Sequence, residues 1–356
     1  MKRSTEISLL AELVQTPSTS GNEGAASNVL MERLPLFGWE RVEKDQVGNV
    51  VARRGRGAKE LVLLGHIDTV PGGPCFGLHG QVLRGRGSVD AKGPLCSFII
   101  AGAAVHIPEA WSVTMIAAVG EETDSRGIKH RIDLHKPCAC IVGEPTGGDG
   151  VVLSYRGRIL CELHGEDRGG HRSWSPGPLT ATVRAASEIF NWIESIDPDL
   201  PLTSRLSGSV VSMSGEESSG RSASVVLDIR LPLGRKIGEV IEKIQNISCS
   251  FGVSAEIHES VAAHGVRPHD PVVGALRSAI ISSGSDPRLL KRSGSADFNM
   301  AAAWNCPMAV YGPGDSLLEH TEEEQIEIDE YLASIDILRS AIPNVFRILG
   351  TERVQP

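Results

Sequence analysis

The stretch ELVLLGHIDTV, residues 60–70, is the most informative part of the sequence for the fold. It joins an apolar run to two polar side chains. The apolar residues 61–64 indicate a buried strand, and His66 and Asp68 stand where that strand should end. A single His-x-Asp pattern often occurs by chance. It indicates either an ordinary polar strand end or one corner of a metal site, and the other strand ends of the chain must decide.

Three further apolar runs indicate buried strands. They read SVTMIAAVGEE (112–122), CACIVGEP (138–145) and PMAVYGPGD (307–315). Continuous apolar runs separated by helical segments are typical of a mostly parallel sheet that is covered on both faces. Helical periodicity predicts an amphipathic N-terminal helix, a helix over 93–107 and a long terminal helix over 322–341.

Residues 154–262 differ from the rest, with shorter strand-like runs and helical stretches near 178–195 and 236–246. Such a mixture is typical of a small α+β unit. We therefore predict an α/β protein with a mixed, mostly parallel sheet flanked by helices. This catalytic domain would comprise 1–153 and 263–356, and the α+β domain would be inserted over 154–262.

Composition excludes several classes of protein. The 356 residues are 41% hydrophobic and carry a net charge of −9, which argues against a general nucleic-acid binder and a polybasic membrane surface. No run approaches the ~20 apolar residues that a transmembrane helix needs. The seven scattered cysteines favour reduced thiols in a cytoplasmic protein. Six arginines are either solvated or part of a docking face for an acidic partner: Arg84, Arg86, Arg156, Arg158, Arg168 and Arg172.

Each of the four apolar runs ends, on its carboxyl side, near potential metal ligands. These are His66 and Asp68, then Glu121 and Glu122, then Glu144, and finally His320, within ten residues of the last run. Open α/β sheets bind ligands beyond the carboxyl ends of their strands. Carboxylates clustered there would repel one another unless a cation neutralised them. The pattern therefore predicts a metal site.

The ligand types narrow the choice of metal. Two histidines with carboxylates suit zinc, with cobalt or manganese as substitutes. Asp90, in the glycine-rich stretch GRGSVDAKG, is either a turn aspartate or a carboxylate that bridges two metals. Glu144 is either a ligand or a loop acid before proline. Glu121 and Glu122 point in different directions on an extended segment, so one can bind metal while the other faces substrate; the alternative is a solvated pair.

The chain resembles the M20 metallopeptidase and deacylase family over nearly its full length. The resemblance rests on GHIDTV, GRGSVDAKG, VGEETDSRG, GEPT, GGHRSWS and YGPGDSLLEHT in this order. Within the family, LSYRGR, KRSGSADFNM and YGPGDSLLEH are most similar to the branch that holds acetylornithine deacetylases and the amino-group carrier-protein hydrolases of lysine and ornithine biosynthesis.

The resemblance assigns roles to matching residues. It implies that His66, Asp90 and Glu144 hold one metal, and that Asp90, Glu122 and His320 hold the other. It also implies a cis peptide bond between Asp90 and Ala91.

Other implied roles concern catalysis. Asp68 would hydrogen-bond His66 and orient its ring, and Glu121 would be the general base and acid. His171 would stabilise the oxyanion, often in the neighbouring subunit of a dimer built through the insertion.

Substrate recognition is predicted in less detail. Gly294 and Ser295 resemble a loop that lines the substrate pocket, and Arg221 and Arg230 are candidates for holding a substrate carboxylate. Many relatives carry an Asn-x-Ile-Pro stretch where this chain has EESSGRSA, so the usual substrate-binding asparagine is missing.

The resemblance implies an amidohydrolase with two Zn²⁺ or Co²⁺ ions per subunit, forming a homodimer. The expected substrate is lysine or ornithine linked to a small acidic carrier protein. Two alternatives are an acetylornithine deacetylase and a related N-acyl-amino-acid hydrolase or dipeptidase. A third is a catalytically silent homologue that only binds a partner or metabolite.

Overall fold

The structure is a computed structural model that describes residues 3–171, 173–217 and 220–351. The chain divides into two compact units. The first comprises Met1–Leu153, Val266–Leu290 and Met300–Pro356, and the second comprises Ser154–Gly265 and Lys291–Asn299. Lys291–Asn299, which lies inside the predicted catalytic domain, therefore groups with the second unit. Arg172 of the predicted docking face and Ser218 and Ser219 of the EESSGRSA stretch lie outside the described residues.

The helices of the described residues follow one another in this order: α1 (Arg3–Gln15), α2 (Gly24–Phe37), α3 (Lys92–Ala104), α4 (Arg126–Arg131), α5 (Gly177–Ser195), α6 (Ile237–Ser250), α7 (Pro271–Ser282), α8 (Asp297–Ala301) and α9 (Ile328–Thr351). Among these described helices, none combines the length and the apolar character that crossing a bilayer requires.

The strands are β1 (Arg41–Lys44), β2 (Val50–Gly55), β3 (Lys59–His66), β4 (Gly77–His79), β5 (Val82–Arg84), β6 (Trp111–Ala118), β7 (Ala139–Val142), β8 (Gly150–Tyr155), β9 (Gly157–Asp167), β10 (Ser207–Glu217), β11 (Arg221–Leu231), β12 (Ser254–Val261), β13 (His264–Gly265), β14 (Arg288–Arg292), β15 (Met308–Val310) and β16 (Gln325–Glu327).

The main sheet of the first unit has the order β1-β2-β6-β3-β7-β15-β8. Its central strands β6, β3, β7 and β15 are parallel, and these correspond to the four apolar runs of the sequence. The flanking pairs β2–β6 and β15–β8 are antiparallel. The predicted mixed α/β fold is therefore confirmed.

Close packing between strand and helix fixes the end of β3. Residues 61–66 of β3 are all buried, as expected for a strand covered on both faces. A Cβ atom on Gly65 would lie 3.3 Å from Cδ1 of Leu95 in α3, so glycine lets the strand and the helix approach closely. The same contact holds His66, the next residue, at the carboxyl edge of the sheet.

The predicted terminal helix over 322–341 is wrong at both ends, because α9 runs from Ile328 to Thr351. Gln325–Glu327 instead form β16, which pairs antiparallel with β5. Ile326 lies opposite Leu83, and both side chains are buried. The apolar residue at 326 therefore fits the helical spacing of α9 but packs as part of a strand.

The second unit is built on an antiparallel sheet of order β10-β11-β9-β12. Along β9, Ile159, Cys161 and Leu163 are buried while their neighbours are not, which is the alternation of a sheet covered on one face. Helices α5 and α6 pack against this face. Among the described strands, β10 lies at one edge of the sheet.

Candidate metal centre

The carboxyl ends of three parallel strands supply most of the polar groups of the candidate centre. His66 is the last residue of β3, Glu122 follows β6, and Glu144 follows β7. Because β3 pairs with both β6 and β7, these three ends meet at one edge of the sheet. Sequence periodicity locates these residues because it shows where each buried strand stops.

The first group of possible ligands consists of His66, Asp90 and Glu144. Nε2 of His66 lies 3.2 Å from Oδ1 of Asp90 and 4.0 Å from Oε2 of Glu144. One donor atom from each residue lies within 4.8 Å of the others. All three side chains are almost completely buried, so water competes little for an ion held there.

The second group consists of Asp90, Glu122 and His320. Nε2 of His320 lies 3.0 Å from Oδ2 of Asp90 and 3.0 Å from Oε1 of Glu122. The imidazole is about half exposed, whereas the two carboxylates are nearly buried. This group therefore lies closer to solvent than the first one.

Asp90 belongs to both groups and uses a different oxygen in each. Oδ1 faces His66 and Oδ2 faces His320, which is the arrangement of a carboxylate that bridges two ions. Each group offers one imidazole nitrogen and carboxylate oxygens, a donor set that suits divalent ions such as zinc. The residues present therefore fit two metal ions. The Asp90–Ala91 peptide bond is cis, as predicted.

The imidazoles balance the charge of these carboxylates. Hydrogen bonds to Asp90 and Glu122 raise the pKa of His320 from 6.5 to about 10. Burial alone would lower the pKa of His66, but Asp68 and Asp90 raise it well above its ordinary value. Burial would raise the pKa of Asp90, yet the two imidazoles lower it. The carboxylates thus favour positive charge at this place, which divalent cations would supply.

Asp68 contacts the ring of His66 through both its backbone and its side chain. Nδ1 of His66 lies 3.0 Å from the backbone oxygen of Asp68 but 3.6 Å from its carboxylate, so the backbone carbonyl accepts the hydrogen bond. This contact favours the tautomer with hydrogen on Nδ1 and leaves Nε2 free to bind a metal. The Asp68 side chain also contacts the segment that follows β6.

The carboxylate of Asp68 holds the turn that carries the two glutamates. It accepts hydrogen bonds from the backbone N–H groups of Glu121 (3.0 Å) and Glu122 (3.1 Å), and from the hydroxyl of Ser20 (2.7 Å). Burial would raise the pKa of Asp68, but the nearby His66 ring and these donors lower it. An ionised, fully buried Asp68 thus fixes the direction of both glutamates.

Glu121 is partly buried and lies beside the ligand groups. Its negative charge contributes to the raised pKa of His66. Glu122, the next residue, points to His320. The two carboxylates thus belong to neighbouring residues of the turn that follows β6, and the catalytic role of Glu121 stays a prediction.

His171 lies in the second unit, in the loop between β9 and α5. Its side chain is exposed, and Nδ1 lies 2.6 Å from the hydroxyl oxygen of Ser173. Its ring centroid lies 6.4 Å from that of Trp174, a tryptophan that is 90% exposed. The role of His171 in stabilising an oxyanion stays a prediction.

The two candidate arginines have different surroundings in the second unit. Arg221 is buried, and its Nε (2.8 Å) and Nη2 (2.5 Å) donate to the two carboxylate oxygens of Asp167. Arg230 donates to Asp228 and to the hydroxyl of Ser295, and about a quarter of its side chain is exposed. Gly294 has open space where a Cβ would stand. This geometry favours Arg230 over Arg221 as the arginine that meets a substrate.

Most of the arginines of the predicted docking face have partners inside their own unit. Arg86 forms an ion pair with Glu324. Arg158 forms ion pairs with Asp228 and Glu259, and Arg156 donates to backbone carbonyl oxygens. Arg84 is exposed but donates to the carbonyl oxygen of Glu322, and Arg168 is exposed. The predicted acidic-partner face therefore has fewer free cations than the sequence indicated.

Two site residues were not identified from the sequence. Ser20 donates to Asp68 from a loop that is distant along the chain, and no local pattern marks it. Glu324 is the last of three consecutive glutamates, a run that is typical of a solvated segment, yet it is fully buried. Its position four residues after the candidate ligand His320 could have indicated that it lies near the site.

The fold and the site define a metal-dependent amidohydrolase, with two ligand groups around a shared aspartate and a further glutamate beside them. The chain belongs to Peptidase family M20/M25/M40, whose profile matches residues 62–344.

Comparison with known proteins gives relatives of nearly equal length. The chain is 33% identical to a protein of Deinococcus radiodurans named LysW-lysine hydrolase, covering 94% of this chain and 95% of that one. It is also 33% identical to a protein of Thermococcus kodakarensis named putative LysW-lysine/LysW-ornithine hydrolase, covering 95% and 91%. In fold it is similar to the metallo-carboxypeptidase Sso-CP2 of Sulfolobus solfataricus, with a TM-score of 0.77 at 17% identity and coverage of 96% and 99%.

Loss of a ligand that belongs to one group should remove one ion and leave the other bound. His320→Ala should bind one Zn²⁺ per chain instead of two, because the group of His66, Asp90 and Glu144 stays complete. Asp90→Asn should weaken both sites, since Asp90 serves both groups. Elemental analysis and calorimetric titration of metal-free protein with Zn²⁺ measure this. His106→Ala, at an exposed loop histidine, is the control, and two ions bound to His320→Ala with wild-type affinity would contradict the assignment.

Proposed function

We propose that this protein releases lysine, ornithine or both from a small acidic carrier protein, by hydrolysing the amide between the carrier's terminal glutamate and the amino group of the amino acid. The observation that carries the substrate class is the 33% identity to two carrier-protein hydrolases over nearly the whole chain. The geometry of the ligand groups and Glu121 supports the hydrolytic chemistry.

We infer two Zn²⁺ or Co²⁺ ions as cofactors, held by His66, Asp90 and Glu144, and by Asp90, Glu122 and His320. When bound, such ions polarise an amide carbonyl and make water more acidic. The protein's own side chains carry out the proton transfer and hold the reacting groups in place.

Glu121 moves the proton. Its carboxylate takes a proton from the attacking water as the water oxygen bonds to the amide carbon. It then gives the proton to the amide nitrogen as the carbon–nitrogen bond breaks, so the products are a free amine and the carboxylate of the carrier. Asp68 keeps Glu121 in place through its backbone N–H. His171 donates a hydrogen bond to the oxygen that becomes negative in the transition state.

Arg230 is the proposed partner of the carboxylate of the lysine or ornithine, beside Gly294 and Ser295. Burial, together with the positive charge of Arg230, lowers the pKa of the neighbouring Arg156 to about 10. Arg158 and Arg230 both pair with Asp228, and Arg158 also pairs with Glu259. A substrate carboxylate would relieve the repulsion among these guanidinium groups.

We further propose a homodimer formed through the second unit, in which β10 is the described edge strand. Val210, Val211 and Met213 of β10 are each at least half exposed, although they are apolar. An edge strand with exposed apolar side chains is a ready surface for pairing, and a second copy of the chain offers the same strand in return. A cytoplasmic location is consistent with the seven cysteines, all of which are free thiols.

Removal of the proposed base should stop hydrolysis without removing the ions. Glu121→Gln should lower kcat on carrier-linked lysine about 10²–10⁴-fold, because proton transfer to and from the reacting groups is lost. Released lysine is measured alongside metal content. Glu323→Gln, at an exposed glutamate, is the matched control. Unchanged turnover in Glu121→Gln would disprove the mechanism.

The substrate class is tested by comparing carrier-linked lysine, carrier-linked ornithine and N-acetylornithine under the same conditions. We expect at least one carrier-linked substrate to have the highest kcat/KM. Faster hydrolysis of N-acetylornithine would favour a deacetylase instead, and hydrolysis of none of them, with metal bound, would favour a silent homologue.

A charge on the edge strand should separate the dimer. Met213→Glu should shift the sedimenting species from dimer to monomer, since a buried carboxylate facing its own copy is unfavourable. Sedimentation velocity measures the change. Ile281→Glu in the first unit, where the isoleucine is 60% exposed, is the control. A wild-type protein that sediments as a monomer would refute the proposed dimer.

A further inference from the structure

Glu324 is a fully buried carboxylate whose oxygens are both engaged next to the candidate metal centre. Its Oε1 accepts hydrogen bonds from three backbone N–H groups, those of Gly87 (2.9 Å), Val89 (3.1 Å) and Asp90 (3.1 Å). These residues form the end of the loop between β5 and α3. One carboxylate oxygen therefore organises the backbone that delivers Asp90.

The other oxygen of Glu324 is paired with a cation. Oε2 lies 2.5 Å from Nη1 of Arg86, whose Nε donates to the carbonyl oxygen of Gly72 at 3.2 Å. A buried carboxylate is unfavourable unless it is paired and hydrogen-bonded, and Glu324 meets both conditions. Burial raises the pKa of Glu324, whereas the backbone N–H groups and Arg86 favour its ionised form, which interacts strongly with backbone amides.

The loop that ends at Asp90 needs an external anchor because its backbone is irregular. Gly87 has a φ of 84°, in the left-handed region that side chains rarely adopt, and a Cβ there would lie 2.8 Å from Cγ2 of Thr69. The N–H groups of Gly87 and Val89 point to Glu324 and not to a neighbouring strand. Without an acceptor, these buried donors would be left unsatisfied.

The same contact joins the loop to the segment that carries His320. Glu324 follows His320 by four residues, and its backbone oxygen accepts from the N–H group of Gly85 at 3.1 Å. Arg84 donates to the carbonyl oxygen of Glu322, and β16 pairs with β5 immediately afterwards. Asp90 and His320 therefore stand on two segments that are bound to each other around Glu324.

We propose that Glu324 is a positioning residue of the metal centre, which sets the separation of Asp90 and His320 and thereby the geometry of the ligand group they form with Glu122. It does not ligate a metal or touch the substrate. The inference rests on the two-metal centre of the proposed function and is independent of the substrate class.

Glu324→Gln tests this role with almost no change of shape. A single amide oxygen cannot accept from the backbone N–H groups and from Arg86 together, and the amide NH₂ adds a donor where donors already face it. Calorimetric titration of the metal-free variant with Zn²⁺ should show about 10–100-fold weaker binding at the site of Asp90, Glu122 and His320. Loss of residues that orient metal ligands typically has an effect of this size. Glu327→Gln, at an exposed glutamate three residues further along the chain, should bind like wild type.

Backbone hydrogen exchange supplies a readout besides metal binding. In the wild type, the amides of Gly87, Val89 and Asp90 should exchange slowly, and in Glu324→Gln a peptide spanning 86–91 should exchange faster at an unchanged thermal midpoint. If Glu324→Gln does not fold, Glu324→Asp keeps the charge but shortens the reach, and the same losses are expected.

Wild-type Zn²⁺ affinity in a folded Glu324→Gln protein would overturn the proposal, as would fast exchange of these amides in the wild type. Failure of the wild type to hydrolyse carrier-linked lysine would contradict the proposed function. It would not affect this test, because the titration measures Zn²⁺ binding without substrate.

Discussion

The structure depends on one shared carboxylate, that of Asp90, whose two oxygens face two different imidazoles. A residue that serves two ligand groups tolerates little displacement, because a shift toward one group is a shift away from the other. The parallel strands position some of the ligands. Their regular pairing brings His66, and the ends of the strands that the glutamates follow, to a common edge. Asp90 and His320 come from irregular segments and need other constraints.

Much of this arrangement could be predicted from the sequence, because burial imposes patterns on it. Strands β6 and β7 are buried throughout and β3 is buried from Leu61 onward, so their mostly apolar sequences show where each strand ends. The terminal helix was predicted to begin too early because Ile326 continues the helical spacing, while its pairing with Leu83 is a contact between distant parts of the chain. Local periodicity carries no information about such a partner.

The orienting residues were harder to predict for a related reason. The resemblance implied that Asp68 hydrogen-bonds His66 and orients its ring. The nearer acceptor is its own backbone carbonyl, and the carboxylate reaches the amides that follow β6. Arg86 resembled a free surface cation, yet its partner Glu324 lies more than two hundred residues away in the sequence. The residue type was informative in both cases, but the partner depended on the fold.

Asp68 and Glu324 therefore solve the same physical problem in two places. Each is an ionised carboxylate with almost no exposure, and each accepts backbone N–H groups from a segment that delivers a ligand. Backbone amides in irregular segments have no strand or helix partner, and a buried carboxylate can accept several of them at once. Because the acceptor is charged, these contacts hold the backbone more firmly than neutral hydrogen bonds would. An acidic cluster that needs cations thus depends on two further acids that hold backbone amides, and this division of roles separates the ligands from the residues that place them.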